Sequence, residues 1–111
     1  MSRIGFLPTE ESIAEIMEVS KLPNIETEGI FTHFACSDSD DESETLKQYD
    51  KFMWVVSRLE NQGLYIPVKH CCNSAAIVRY PNMHLDMVRP GIILYGYYPS
   101  MYLKGKEIDL K

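Results

Sequence analysis

A chain of 111 residues is long enough for one domain with a modest core and too short for several. Eleven basic against sixteen acidic side chains give a formal charge of −5, which argues against nucleic acid as a partner. No apolar run approaches the roughly 20 residues that span a bilayer, no signal-peptide pattern opens the chain, and three cysteines make no disulfide framework. A reducing cytoplasm, with no membrane partner, is the expected setting.

The periodicities alternate between helix and strand. After "RIGFLP", Thr9 is placed to cap a helix whose first turn carries Glu10 and Glu11 beside the positive helix end. Ile13, Ile16 and Met17 form its apolar stripe, and "KLPN" ends it. "GIFTHFA" (29–35) reads as a short buried strand. The acidic stretch "SDSDDESE" (37–44) leads into a longer helix, with Asp41 and Glu44 spaced as a capping box. Leu46, Tyr49, Met53, Val56 and Leu59 repeat along that helix, and Gly63 suits a left-handed cap.

"YIPVKHCC" (65–72) predicts a second strand and "NSAAIVRYP" (73–81) a short helix stopped by proline. "HLDMVRPGIILYG" (84–96) predicts a third strand, a corner and a fourth strand. Strands separated by helices imply parallel pairing, hence an α/β sheet or barrel. Neither end of the chain has the pattern of a natural boundary, so a piece of a larger domain is expected. "KGKEIDLK" (104–111) stops where a further strand is expected to begin.

His33, His70 and Arg89 stand at three consecutive predicted strand ends. In parallel βα folds those ends share one face, where active sites are built. Taken singly, each reads as a solvated strand-end residue; together they point to a site. Asn73 and Ser74 sit where strand turns into helix, so Ser74 is placed to cap the helix and to offer donors to an anion. "RPGI" supplies a second corner, where Gly91 carries no Cβ to block a phosphate.

His33, Cys36, His70, Cys71, Cys72 and His84 are zinc-ligand types, but their spacing matches no common zinc motif. Strand alternation also puts Cys71 and Cys72 on opposite faces. No metal is expected. The acidic stretch lacks the turn glycine of a calcium loop.

"RIGF", "EGIFTHFACSD", "HCCNSAA" and "DMVRPGIILYG", in this order and spacing, closely resemble alanine racemase, the pyridoxal-phosphate enzyme of bacterial cell-wall precursor synthesis. The resemblance spans essentially the whole chain. It implies a partial (βα)8 (TIM-type) barrel with about half of the barrel present, residues 1–111 forming one partial domain. The full-length form of that family is a homodimer acting on alanine, and a lone half barrel is expected to self-associate through its open sheet edges. Arg89 is then expected to bond the cofactor's pyridine nitrogen, with His70 holding Arg89 and His33 in the same hydrogen-bond chain. Ser74, Gly91 and Ile92 are expected to contact the cofactor phosphate, Asn73 to lie near the ring, and Arg3 to sit by the substrate carboxylate.

Two features of the family pattern have no counterpart here. The Schiff-base Lys belongs to the first barrel strand, and Lys21, Lys47, Lys51, Lys69, Lys104, Lys106 and Lys111 are all in the wrong context for it. Lys69 is expected to point away from His70. The opposing tyrosine base belongs to a second domain, and Tyr95 matches a structural position. The chain alone is therefore expected to be inactive. The alternatives are a serine racemase of the same family, a non-catalytic phosphate- or pyridoxal-phosphate-binding module, and a small metal-binding α/β protein.

Overall fold

The computed structural model describes residues 4–101 and 103–105. The first helix, α1, spans Glu10–Ser20, with Thr9 as its N-cap accepting from the Ser12 amide, as expected. It buries Ile13 completely, while Ile16 and Met17 pack at the edge of a small cluster with Leu59 and Ile66.

Strand β1 is Gly29–Phe31, shorter than the expected 29–35. The Thr32 amide still bonds the His70 carbonyl at 3.3 Å, but the Ala35 amide turns to the Gln48 side chain at 3.0 Å. Between them Phe34 leaves the sheet and fills the main core, 1% exposed. Burying that ring outweighs continuing a ladder whose amides find partners elsewhere.

Helix α2 covers Ser43–Asn61. The expected capping box is absent: the Asp41 carboxylate accepts from the Ser43 amide at 2.9 Å, and Glu44 faces Lys47 at 3.6 Å. Val56 and Leu59 are buried and Tyr49 and Met53 partly so, whereas Leu46 is exposed and Phe52 takes the inward place. Gly63 ends the helix region at φ 89°, the left-handed conformation expected of it.

Strand β2, Val68–His70, lies parallel to β1 with Gly29 opposite Val68 and Phe31 opposite His70. Among the described residues the fold is thus α/β around a two-stranded parallel sheet. Helix α3, Ser74–Arg79, buries Ala75 and packs Ala76 into the core with Phe34, Phe52 and Cys72.

The third and fourth strands expected from 84–96 do not form among the described residues. Leu85 adopts φ 54°, which interrupts extension. The Asp86 amide bonds the Lys69 carbonyl at 3.1 Å, but the Asp86 carboxylate takes the Lys69 amide at 2.9 Å where a ladder carbonyl belongs. Residues 92–95 instead close a 3₁₀ turn, ended by Gly96 at φ 75°. Its backbone groups are satisfied locally, the Leu94 and Gly96 amides bonding the Gly91 and Ile93 carbonyls at 3.0 and 3.1 Å.

Cys71 and Cys72 correct the expected alternation. Both thiols donate to one acceptor, the Met83 carbonyl, at 3.2 and 3.1 Å. The strand has already ended at His70, so the pleat no longer separates adjacent side chains. The hydrogen bond shared with Cys72, and then burial, push the Cys71 thiol up from its usual range.

Candidate functional site

The segment after Asp86 runs beside the end of β2. The Arg89 amide bonds the Cys72 carbonyl at 3.0 Å, and two residues on the Gly91 amide bonds the Ser74 hydroxyl at 2.8 Å. These two bonds bring Arg89, Gly91, Asn73 and Ser74 together at the sheet's C-terminal end.

Arg89 donates through Nη1 to His70 Nδ1 and through Nη2 to the Thr32 carbonyl, the latter at 3.0 Å. An Nδ1 that accepts requires a neutral imidazole carrying its hydrogen on Nε2. Burial lowers the His70 pKa, and the Arg89 charge lowers it further, so the neutral form is favoured. The imidazole also stacks on Phe31 with centroids 5.1 Å apart and planes 6° apart. Phe31 holds the His70 ring face while Arg89 fixes one edge. Burial lowers the Arg89 value too, an effect the Cys71 and Cys72 sulfurs oppose.

The second corner differs from the expectation in one respect. Asn73, not Ser74, caps α3: its Oδ1 accepts from the Ala76 amide at 3.1 Å. That leaves the Ser74 hydroxyl for Gly91. A Cβ at Gly91 would stand 3.4 Å from the Ser74 oxygen, against the hydroxyl that the Gly91 amide bonds. Ile92 opens the 3₁₀ turn, where the first N–H has no partner within the turn.

His33 is half-buried and lies two residues past the end of β1, directly after the Thr32 carbonyl that Arg89 takes. Lys69 turns to the Ile66 carbonyl at 2.9 Å and to Glu60 at 3.5 Å. His84 donates from Nε2 to the Ile77 carbonyl at 2.8 Å, a structural use. No group of three or more His, Cys, Asp or Glu poised for a metal occurs among the described residues. Arg3 and, of the 104–111 stretch before the expected further strand, residues 106–111 lie outside the described residues.

Two residues that are not among the expected site residues, Ser37 and Arg79, support the corner. Ser37 donates from its hydroxyl to Asn73 Oδ1 at 2.7 Å, and Arg79 donates to the Ser37 carbonyl at 2.9 Å. Their only sequence signal is a small polar residue and a cation flanking expected loops.

The family model described as "Alanine racemase, N-terminal domain" matches residues 1–99. The chain belongs to the alanine racemase family. An alanine racemase of Clostridium tetani is 54% identical over 111 residues, which is 100% of this chain and 29% of that protein. One from Methanococcus maripaludis is 50% identical over all 111 residues, or 30% of its length. Among solved structures, the alanine racemase of Clostridium difficile 630 in complex with cycloserine superposes with a TM-score of 0.95 at 46% identity. That match covers 100% of this chain and 30% of the other. The Bacillus anthracis alanine racemase with bound L-Ala-P gives a TM-score of 0.91 at 32% identity, covering 100% and 29%. The chain thus spans about 29% of the length of the curated relatives it matches.

Proposed function

We propose that this chain is the part of an alanine racemase that holds pyridoxal phosphate, with Arg89 at the ring nitrogen and the Ser74–Gly91 corner at the phosphate. The observation that carries this reading is the bonded Ser74 hydroxyl and Gly91 amide beside a guanidinium already fixed by His70. A hydroxyl and an amide that face each other can both turn to a phosphate oxygen, and Gly91 leaves the approach open. The donor set therefore fits the group.

Pyridoxal phosphate, when bound, supplies the electron sink that acidifies an amino acid's α-C–H. Arg89 keeps the ring nitrogen free of a proton, since a guanidinium gives none up near neutrality. That moderates the sink and limits side reactions. His70 accepts from Arg89 and fixes its plane. His33 extends the same chain of polar groups, Ile92 offers its N–H beside Gly91, and Asn73 holds the α3 corner near the ring. By the family resemblance, Arg3 is assigned to the substrate carboxylate.

On this reading the chain forms about half of a (βα)8 barrel and works in the cytoplasm, in bacterial D-alanine supply for the cell wall. Its three cysteines are free, which suits a reducing compartment. No helix among the described residues is long and apolar enough to cross a membrane. None of these 111 residues matches the family's Schiff-base lysine or its opposing tyrosine, so the 111 residues by themselves are proposed to give no turnover. Phe31, Leu94, Tyr95 and Tyr97 are all more than half exposed. Apolar side chains left this open favour self-association in isolation and pairing within a homodimer in the family's full-length form.

A graft tests the function. Residues 1–111 replace the aligned 111 residues of the Clostridium tetani alanine racemase, and conversion of L- to D-alanine is assayed beside L-serine. Turnover of alanine above that of serine supports the proposal. A chimera that folds as a racemase does, and turns over neither, contradicts it.

A further inference from the structure

Helix α3 is six residues long, far below the roughly 12–15 residues at which an isolated helix becomes marginal in water. Its geometry at Ser74 is therefore set by whatever holds its ends. One loop holds both. At the C-terminal end, Arg79 donates to the carbonyls of Ser37 (2.9 Å) and Ser39 and to the Glu42 carboxylate (3.1 Å). Its side chain is only 7% exposed, although it carries a full charge. At the N-terminal end, the Ser37 hydroxyl donates to Asn73 Oδ1 at 2.7 Å, the same oxygen that caps the Ala76 amide. Asn73 Nδ2 adds a bond to the Phe34 carbonyl at 3.4 Å.

We infer that Arg79 is a positioning residue for the cofactor phosphate, acting through Ser37 and Asn73 on the Ser74 hydroxyl. A guanidinium planted in the 37–42 loop fixes Ser37, Ser37 fixes the N-cap amide, and the N-cap fixes the first helical residue. A buried charge-assisted bond of this kind has one preferred geometry, which a lysine's single ammonium does not reproduce. The inference rests on the reading of Ser74 and Gly91 as the phosphate corner, and the test separates the two.

The full chain is compared with its Arg79→Lys and Ser37→Ala variants by amide hydrogen exchange followed by NMR. Ser37→Ala removes only the hydroxyl link and leaves the charge in place. Both variants are expected to speed exchange at Gly91 at least fivefold relative to the Lys69–Asp86 pairing, with the Glu10–Ser20 helix unchanged. Gly91 exchange unchanged in both variants, or raised no more than that of the whole chain, overturns the inference. Equilibrium binding of pyridoxal phosphate against phosphate-free pyridoxal is measured on the same proteins and on Ser74→Ala. The wild-type preference for the phosphorylated form is expected to fall severalfold in all three variants. If Ser74→Ala leaves the preference untouched, the phosphate reading fails, whatever happens at Gly91. If Ser74→Ala lowers it and the other two do not, the Arg79 inference fails alone.

Discussion

Arg89 and His70 are bonded guanidinium to imidazole, with the Arg89 Nη1 donating to Nδ1 and Nη2 reaching across to the Thr32 carbonyl at 3.0 Å. The pair ties the loop after Asp86 to the ends of both strands. It also aims a cation at the face where a cofactor ring is proposed to lie. Each partner is fixed by more than one contact, because Phe31 stacks on the imidazole and lies 5.3 Å from the guanidinium.

Arg89→Lys is expected to destabilise the chain even though the charge is kept. A lysine reaches one acceptor where the fork reaches two, and a lost bond from a charged donor costs roughly 1.5–3 kcal/mol. Urea denaturation followed by Trp54 fluorescence measures the change. A midpoint equal to wild type would show the fork to be dispensable.

The pH dependence follows from the lowered His70 pKa. As pH falls below the ordinary histidine value of about 6.5, the unfolded chain takes up this proton before the folded one does. The contribution of His70 is thus complete above that pH and is lost as pH falls through the lowered folded value. Thermal midpoints recorded from neutral to acid pH are expected to decline there. Asn in place of His70 keeps an acceptor near Nδ1 but does not titrate, so His70→Asn should flatten the decline.

Gly63 stands at φ 89° with nothing within 4 Å of a Cβ built on it. Any penalty for Gly63→Ala is therefore conformational, about 1 kcal/mol, and Gly63→Asn should cost less because Asn tolerates the left-handed region. Equal effects from the two variants would argue against the cap.

Leu59 is 1% exposed where α1, α2 and Ile66 meet. Leu59→Ala should cost about 2–5 kcal/mol, the range for a cavity that the surroundings fill only in part. A loss below 1 kcal/mol by the same denaturation assay would mean that α1 is not anchored there.

Local signals were legible in the sequence and long-range ones were not. Thr9 as a cap and Gly63 as a terminator are settled within a few residues, and both stand where expected. The same holds for the short helix after Asn73. The third strand failed because Leu85 turns left-handed and Asp86 substitutes a carboxylate for a ladder carbonyl, choices set by contact with Lys69. Asn and Ser are equally good caps, so local sequence does not choose between Asn73 and Ser74. Which one is free to serve was decided by Ser37, 36 residues away from Asn73. Arg79 escaped for the same reason: its acceptors at Ser37 and Ser39 lie 42 and 40 residues distant. The family motifs pointed to Arg89, His70, Ser74 and Gly91, and the structure brings these into two bonded pairs on adjoining backbone.

The most direct test of the account is an equilibrium titration of the full chain with pyridoxal phosphate and with phosphate-free pyridoxal, read by absorbance and by quenching of Trp54. The account expects saturable binding that favours the phosphorylated compound, weakened roughly tenfold by Ser74→Ala, about the worth of one bond to a charged group. Arg89→Ala should weaken both compounds alike. Binding that ignores the phosphate, or that neither substitution changes, would contradict the assignment of these residues to the cofactor.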